Sequence, residues 1–192
     1  MAICNDLTMP SGETVPRVPK VNLGATGLQV SKLGFGTFDF GVSSLHISQR
    51  EGARILGESL KLGVDYWDTS EDYGSHAHIA AALGLVPRKT VVISTKTDAR
   101  DPQETGKTVK RFLRELCTDY LDIVLLHLVK SNWIRGCHSV LKRLSEIKTT
   151  GLVKAIGLST HSVAVVREAA RFDEVDLIMT ICCKADLSLI HI

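Results

Sequence analysis

Aromatic side chains are scarce, at 5% of 192 residues, and no apolar run approaches the ~18 residues that cross a bilayer. The chain reads as one that does not enter a membrane. Neither charge is in excess: 23 Lys and Arg stand against 21 Asp and Glu, a formal net charge of +2. With no basic run among them, nucleic acid and anionic lipid surfaces have no electrostatic claim on it. The opening stretch, MAICNDLTMPSGETVPRVPK, lacks the charged-then-apolar order of a secretion leader. Cysteines are few and odd in number. Cys4, Cys117, Cys137, Cys182 and Cys183 have no metal-ligand spacing, so the expectation is a cytoplasmic chain with reduced thiols and no metal centre. The adjacent Cys182 and Cys183 read as small buried side chains. Apolar residues are plentiful instead, and 44% of the chain is enough to build the core of one globular domain.

Residues 1–20 are polar and proline-bearing, as in a loose arm. VNLGATGLQVSKL (21–33) predicts a hairpin turning around Ala25-Thr26-Gly27. Apolar runs then alternate with helical patterns. LGFGT (33–37), VDYWDTS (64–70), TVVISTKT (90–97), YLDIVLLHL (120–128), LVKAIGLST (152–160) and VDLIMTICC (175–183) are read as rich in Val, Ile and Leu rather than strictly alternating, as in strands covered on both faces. Between them Ala53, Leu56 and Leu60 share one helical face. So do Val109, Phe112, Leu113 and Leu116, and likewise Val140, Leu144 and Ile147. Gly63, Gly84 and Gly151 stand where helices should stop. The pattern is that of repeated βα units.

Two parallel architectures fit such repeats: a doubly wound sheet and an eight-stranded barrel. A dinucleotide-binding doubly wound sheet calls for a glycine-rich turn with three glycines, and Gly34-Phe35-Gly36-Thr37-Phe38-Asp39 supplies two. The placement of polar residues decides. Asp68, Lys96, His127 and Ser159 each close a buried-type strand on four successive units, and in a barrel those ends share one mouth. Tyr73 follows Asp68 by five residues. A phenol is a poor proton donor near neutrality; an ammonium such as Lys96 would lower its pKa, and Asp68 would keep that lysine charged. His127 would then direct a carbonyl oxygen by a hydrogen bond. Such a set suits protonation of an oxygen while a hydride arrives at carbon. Taken singly each has a plainer role: Asp68 as a helix cap, Lys96 as a solvated lysine, His127 as a core histidine. His46, His76 and His78 read as ordinary loop or helix-start residues, Trp67 as core packing, and Trp133 as either a pocket wall or a loop anchor.

The segment Asp68-Thr69-Ser70-Glu71-Asp72-Tyr73-Gly74 resembles the DTSxxYG signature of the aldo-keto reductase superfamily. LGATGLQVSKLGFGT, STKT, TDYLDIVLLH and KAIGLSTHS resemble further stretches of that family, in the same order, over about Val21 to Met179. The resemblance implies a (β/α)8 barrel that binds a nicotinamide dinucleotide, usually NADPH, without a Rossmann fold. It implies Tyr73 as acid/base, Lys96 and Asp68 as its tuning charges and His127 as the group orienting the carbonyl. It also implies Gly36, Thr37, Phe38 and Asp68 near the nicotinamide, and Ser159 with Thr160 at its carboxamide, although many members carry Ser-Asn there. The substrate implied is a small aldehyde or ketone. A non-catalytic NADPH-binding scaffold or regulatory subunit on the same barrel is the alternative. An unrelated barrel lyase or isomerase would need a carboxylate or histidine set at the strand ends, where Asp68 is the one acid.

A closed eight-stranded barrel takes about 250 residues, and this sequence shows six strands. The expected fold is therefore an incomplete (β/α)8 TIM barrel of about six βα units behind an N-terminal hairpin. Residues 1–20 form the arm, 21–186 the partial barrel and 187–192 a non-native tail. Leu187 to Ile192 is what CTG TCT CTT ATA CAC ATC encodes, which resembles a transposase end sequence. An unclosed sheet leaves bare edges, so the chain as written is expected to be poorly soluble, to bind NADPH weakly and to be inactive.

Overall fold

A computed structural model describes residues 16–41 and 46–181. Most of the expected arm, Cys182 with Cys183 and the tail at 187–192 lie outside the described residues. The chain condenses into two compact units. One runs to Ile93 and takes in Glu115–Thr118; the other comprises Ser94–Arg114 and Asp119 onward.

The first unit opens with the expected hairpin, β1 (Lys20–Asn22) antiparallel to β2 (Gln29–Ser31), with Val21 opposite Val30. The turn is longer than a three-residue one. Leu23 and Leu28 close it, and the Thr26 hydroxyl donates to the Leu23 carbonyl at 2.6 Å. A buried carboxylate fastens the hairpin: Asp65 accepts from the Ser31 N–H at 2.7 Å and pairs with Lys20 at 2.5 Å. Ser31 Oγ in turn accepts from the Asp65 and Tyr66 N–H groups. That lock takes Asp65 out of the strand pattern, so β4 (Tyr66–Asp68) is shorter than the apolar run that announced it. It runs parallel to β3 (Gly34–Gly36). Helix α1 (Gln49–Lys61) is N-capped by Ser48, which accepts from the Glu51 N–H, and ends at Gly63, whose φ of +86° lets the chain turn back. Helix α2 (His76–Leu83) ends differently: Gly84 stays right-handed at φ −67°.

The second unit carries β5 (Val92–Thr97, shared with the first unit at its start), β6 (Leu121–Leu126), β7 (Val153–Thr160) and β8 (Leu177–Thr180). They pair in parallel and in chain order, Lys96 beside Leu125 and Ser159 beside Met179. All six residues of β6 are buried, and all of β7 except Lys154. Burial on both faces is what the uninterrupted aliphatic runs require. β8 pairs with β7 alone among the described residues and is half-buried. Helix α3 (Pro102–Glu115) starts at an Asp-Pro pair: Asp101 Oδ1 accepts from the Gln103 and Glu104 N–H groups, and Pro102 stands where no donor is needed. It buries Val109 and Phe112, while α4 (His138–Thr149) buries Val140, Leu141, Leu144 and Ile147. A short α5 (Val163–Ala169) is capped by Ser162. Among the described residues no helix is long and apolar enough to cross a membrane.

Candidate functional site

The residues singled out by the sequence divide between the two units, in each case at the C-terminal ends of parallel strands. In the first, Gly36 ends β3 and Asp68 ends β4. Thr37 ties the two ends together: its N–H and its hydroxyl both donate to the Asp68 carbonyl at 2.9 Å. The same hydroxyl shares a 2.8 Å hydrogen bond with Ser75 Oγ, which shares another with Thr69. All three hydroxyls are buried. Asp68 thus leaves the strand from a fixed backbone.

Tyr73 ends a single helical turn, Glu71–Tyr73, its N–H donating to the Ser70 carbonyl. Ser70 also donates to Asp72, which faces the same turn. Gly41 presses against Tyr73 from outside the turn, where an added Cβ would sit 1.5 Å from the Tyr73 carbonyl oxygen. The Phe38 ring meets the Tyr73 ring edge-on, with centroids 5.0 Å apart. Burial first, then the negative charges of Asp68 and Asp72, push the Tyr73 phenol up to about 12. This is opposite to the direction expected of a lysine ammonium. By itself the shift makes the phenol a weaker acid than an ordinary tyrosine.

In the second unit Lys96 is 2% exposed near the end of β5, and His127, 5% exposed, is the residue after β6. A buried lysine is unlike the solvated one that composition alone suggests. One imidazole nitrogen, Nδ1, lies 3.7 Å from Asp98 Oδ2. Arg100 reaches the same place: its guanidinium is 3.5 Å from Asp98 Oδ1, donates to the His127 carbonyl at 3.1 Å and stacks 4.2 Å from the Trp133 ring centroid. Trp133 is therefore held as part of the loop after β6. Cys137 lies buried behind it; burial pushes its thiol up to about 11 against the pull of Arg100, which leaves it protonated and unreactive near neutrality.

Ser159 and Thr160 end β7 with their hydroxyls already engaged. Ser159 Oγ accepts from the Leu128 N–H at 2.9 Å and donates, at a long 3.4 Å, to the Leu126 carbonyl. Thr160 Oγ1 donates to the Val129 carbonyl at 2.7 Å and accepts from the Ser162 N–H. Each retains one acceptor site. At the end of β8, Thr180 Oγ1 is buried and finds no hydrogen-bond partner among the described residues. A primary carboxamide needs acceptors for its N–H groups and a donor for its oxygen. Hydroxyls of both kinds stand at these strand ends, so the chemistry of the donor set is compatible with a carboxamide, although Ser159 and Thr160, consecutive on β7, leave opposite faces of the sheet.

Several features escaped the sequence. His76 and His78 are buried, not loose: Nδ1 of His76 is 2.7 Å from Glu115 Oε2, and Nε2 of His78 is 2.7 Å from the Ile47 carbonyl. Asp65 and Arg100 carried no motif. Leu128 adopts φ +48°, where a side chain costs about 1–2 kcal/mol, and leucine gives no sequence warning of it.

A model of the aldo/keto reductase family matches residues 32–183. The chain is 28% identical over 172 residues to probable aldo-keto reductase 1 of Glycine max, covering 81% of this chain and 49% of that protein. It is 24% identical over 186 residues to the NADH-specific methylglyoxal reductase of Escherichia coli, covering 83% and 57%. A solved structure from Pseudomonas aeruginosa, assigned to the aldo-keto reductases, is similar at a TM-score of 0.81 and 29% identity, over 90% of this chain and 72% of that one. The fold class is accordingly the (β/α)8 barrel, incomplete, with six parallel strands among the described residues and a leading hairpin. The chain spans about half the length of the curated relatives it matches.

Proposed function

This chain belongs to the aldo/keto reductase family, and from that premise we propose that it carries the site of an NADPH-dependent oxidoreductase that reduces small aldehydes or ketones to alcohols in the cytoplasm, the activity belonging to the full-length gene product and the 192-residue chain by itself being inactive. The observation that carries the reading is Tyr73. It stands one turn beyond the end of a parallel strand, half-buried, with its ring edge against the Phe38 ring and Gly41 packed on its carbonyl.

When bound, the nicotinamide supplies the hydride that reaches the carbonyl carbon. Tyr73 gives its phenolic proton to the carbonyl oxygen as that hydride arrives, and the product is the alcohol. His127 donates a hydrogen bond to the same oxygen and sets its direction. The family resemblance gives Lys96 and Asp68 as the charges that tune Tyr73. Gly36, where an added Cβ would meet nothing within 4 Å, leaves room for a ring to approach the backbone beside Thr37 and Phe38. Ser159 and Thr160 accept from the carboxamide.

The test is a panel of aldehydes and ketones assayed with the full-length gene product by loss of NADPH or NADH absorbance, with Tyr73→Phe as control; the unaltered chain in every assay of turnover below is that full-length product. Carbonyl-dependent oxidation of NADPH in preference to NADH, lost in Tyr73→Phe, is the expected result. A chain that binds NADPH and holds a protein partner but turns nothing over would instead be a scaffold.

A further inference from the structure

The turn from His127 to Val129 is held peptide by peptide. The His127 N–H donates to the Thr97 carbonyl at 2.8 Å, and its carbonyl accepts from Arg100 at 3.1 Å. The Leu128 N–H donates to Ser159 Oγ at 2.9 Å. The Val129 N–H donates to the Ser159 carbonyl at 2.8 Å, and the Val129 carbonyl accepts from Thr160 Oγ1 at 2.7 Å. At the centre of this clamp Leu128 has φ +48°, a conformation that a residue with a Cβ disfavours. Its side chain does little to hold it there, being 41% exposed. The hold comes from the backbone, and Ser159 supplies two of its hydrogen bonds, one from its hydroxyl and one from its own carbonyl. Strained backbone next to a reactive side chain points to a function for the strain. Released from the hydroxyl, Leu128 would relax to negative φ and rotate the peptide that joins it to His127.

We propose that Ser159 is a positioning residue for His127: its hydroxyl fixes the strained Leu128 peptide, and that peptide fixes where the imidazole points. The inference rests on the reading of His127 as the group that orients the carbonyl. It gives Ser159 a task separate from touching a cofactor, and one that its position beside β6 allows it to perform whether or not a cofactor is bound.

Two variants separate the tasks. Ser159→Ala removes the acceptor of the Leu128 N–H. Adding Leu128→Gly removes the strain as well, because glycine takes positive φ freely. In the full chain labelled at histidine, Ser159→Ala is expected to broaden or split the His127 ring resonances, and Ser159→Ala with Leu128→Gly to return them to one set. In the NADPH-linked assay Ser159→Ala is expected to lower kcat about 100-fold, and the double variant to regain about tenfold of that loss. Both variants lack the Ser159 acceptor, so the KM for NADPH is expected to rise equally in the two, while kcat and the resonances separate them. If Ser159 acted by gripping the cofactor alone, kcat would be spared or Leu128→Gly would regain nothing, and either result overturns the proposal. His127 resonances indifferent to Ser159→Ala overturn it too. Should the unaltered chain reduce no carbonyl, the reductase reading fails, while the resonances still decide the clamp.

Discussion

In the first unit Tyr73 ends a lone helical turn, half-buried, with its ring edge against Phe38 and two carboxylates nearby. In the second, His127 sits buried at a strand end, with the peptides on both sides of it hydrogen-bonded. The two side chains are prepared for use by different physics. Burial and charge set the proton affinity of Tyr73, so single charges can retune it. Backbone hydrogen bonds set the direction of His127, so shape and strain govern it. Under the proposed roles, Tyr73 must give up a proton and His127 must hold its place; the fold holds the place of His127, whereas the raised pKa of Tyr73 leaves it a weaker acid until a charge is changed.

The largest effect should come from the reactive groups themselves. Tyr73→Phe is expected to lower kcat for carbonyl reduction about 1,000-fold while leaving the circular dichroism spectrum and melting temperature unchanged within error. A residual rate close to that of the unaltered chain would remove Tyr73 from the chemistry. Next in size is a defect in the second unit's packing. Phe112→Ala empties a fully buried site on α3 and should cost about 3–5 kcal/mol in a denaturant titration. In the first unit the matching weak point is polar. Asp65→Ala strips the lock from Ser31 and Lys20 and should cost about 2–3 kcal/mol. Hydrogen exchange should then show β1, β2 and β4 losing protection before β6 and β7 do; uniform loss would contradict the separate anchoring of the hairpin.

The smallest effect concerns pH. Because its pKa is raised, the fold favours the protonated Tyr73: that preference is fully present below the ordinary value of 10.0 and is lost as pH rises through about 12. Asp72→Asn deletes one of the two carboxylates responsible, so the Tyr73 titration should move down by about half a unit. Ultraviolet difference titration against Tyr73→Phe reads this without any turnover. An upward movement would mean that Asp72 acts on the phenol by something other than charge.

Much of this was legible in the chain. The runs that became β5, β6 and β7 are aliphatic without alternation because both faces are covered, and the sequence carries that directly. The strand-end positions of Asp68, Lys96, His127 and Ser159 follow from the same pattern. Other features depend on residues far apart in sequence. Asp65 looks like a solvated carboxylate until Ser31 and Lys20, thirty or more residues earlier, close on it. Leu128 looks like the last residue of an apolar run, yet Ser159 draws its N–H into a left-handed turn. The direction of the Tyr73 shift is misread from the sequence, which leads one to expect Lys96 to lower it, whereas burial, the largest cause and a property of the folded unit, raises it together with Asp68 and Asp72.

The most direct measurement is isotopic. With NADPH deuterated at the transferable position and an aldehyde substrate, mass spectrometry of the product reads whether hydride has moved to carbon. The account predicts deuterium in the alcohol from the unaltered chain and none above background from Tyr73→Phe. An unlabelled product, or equal labelling from both chains, would contradict it.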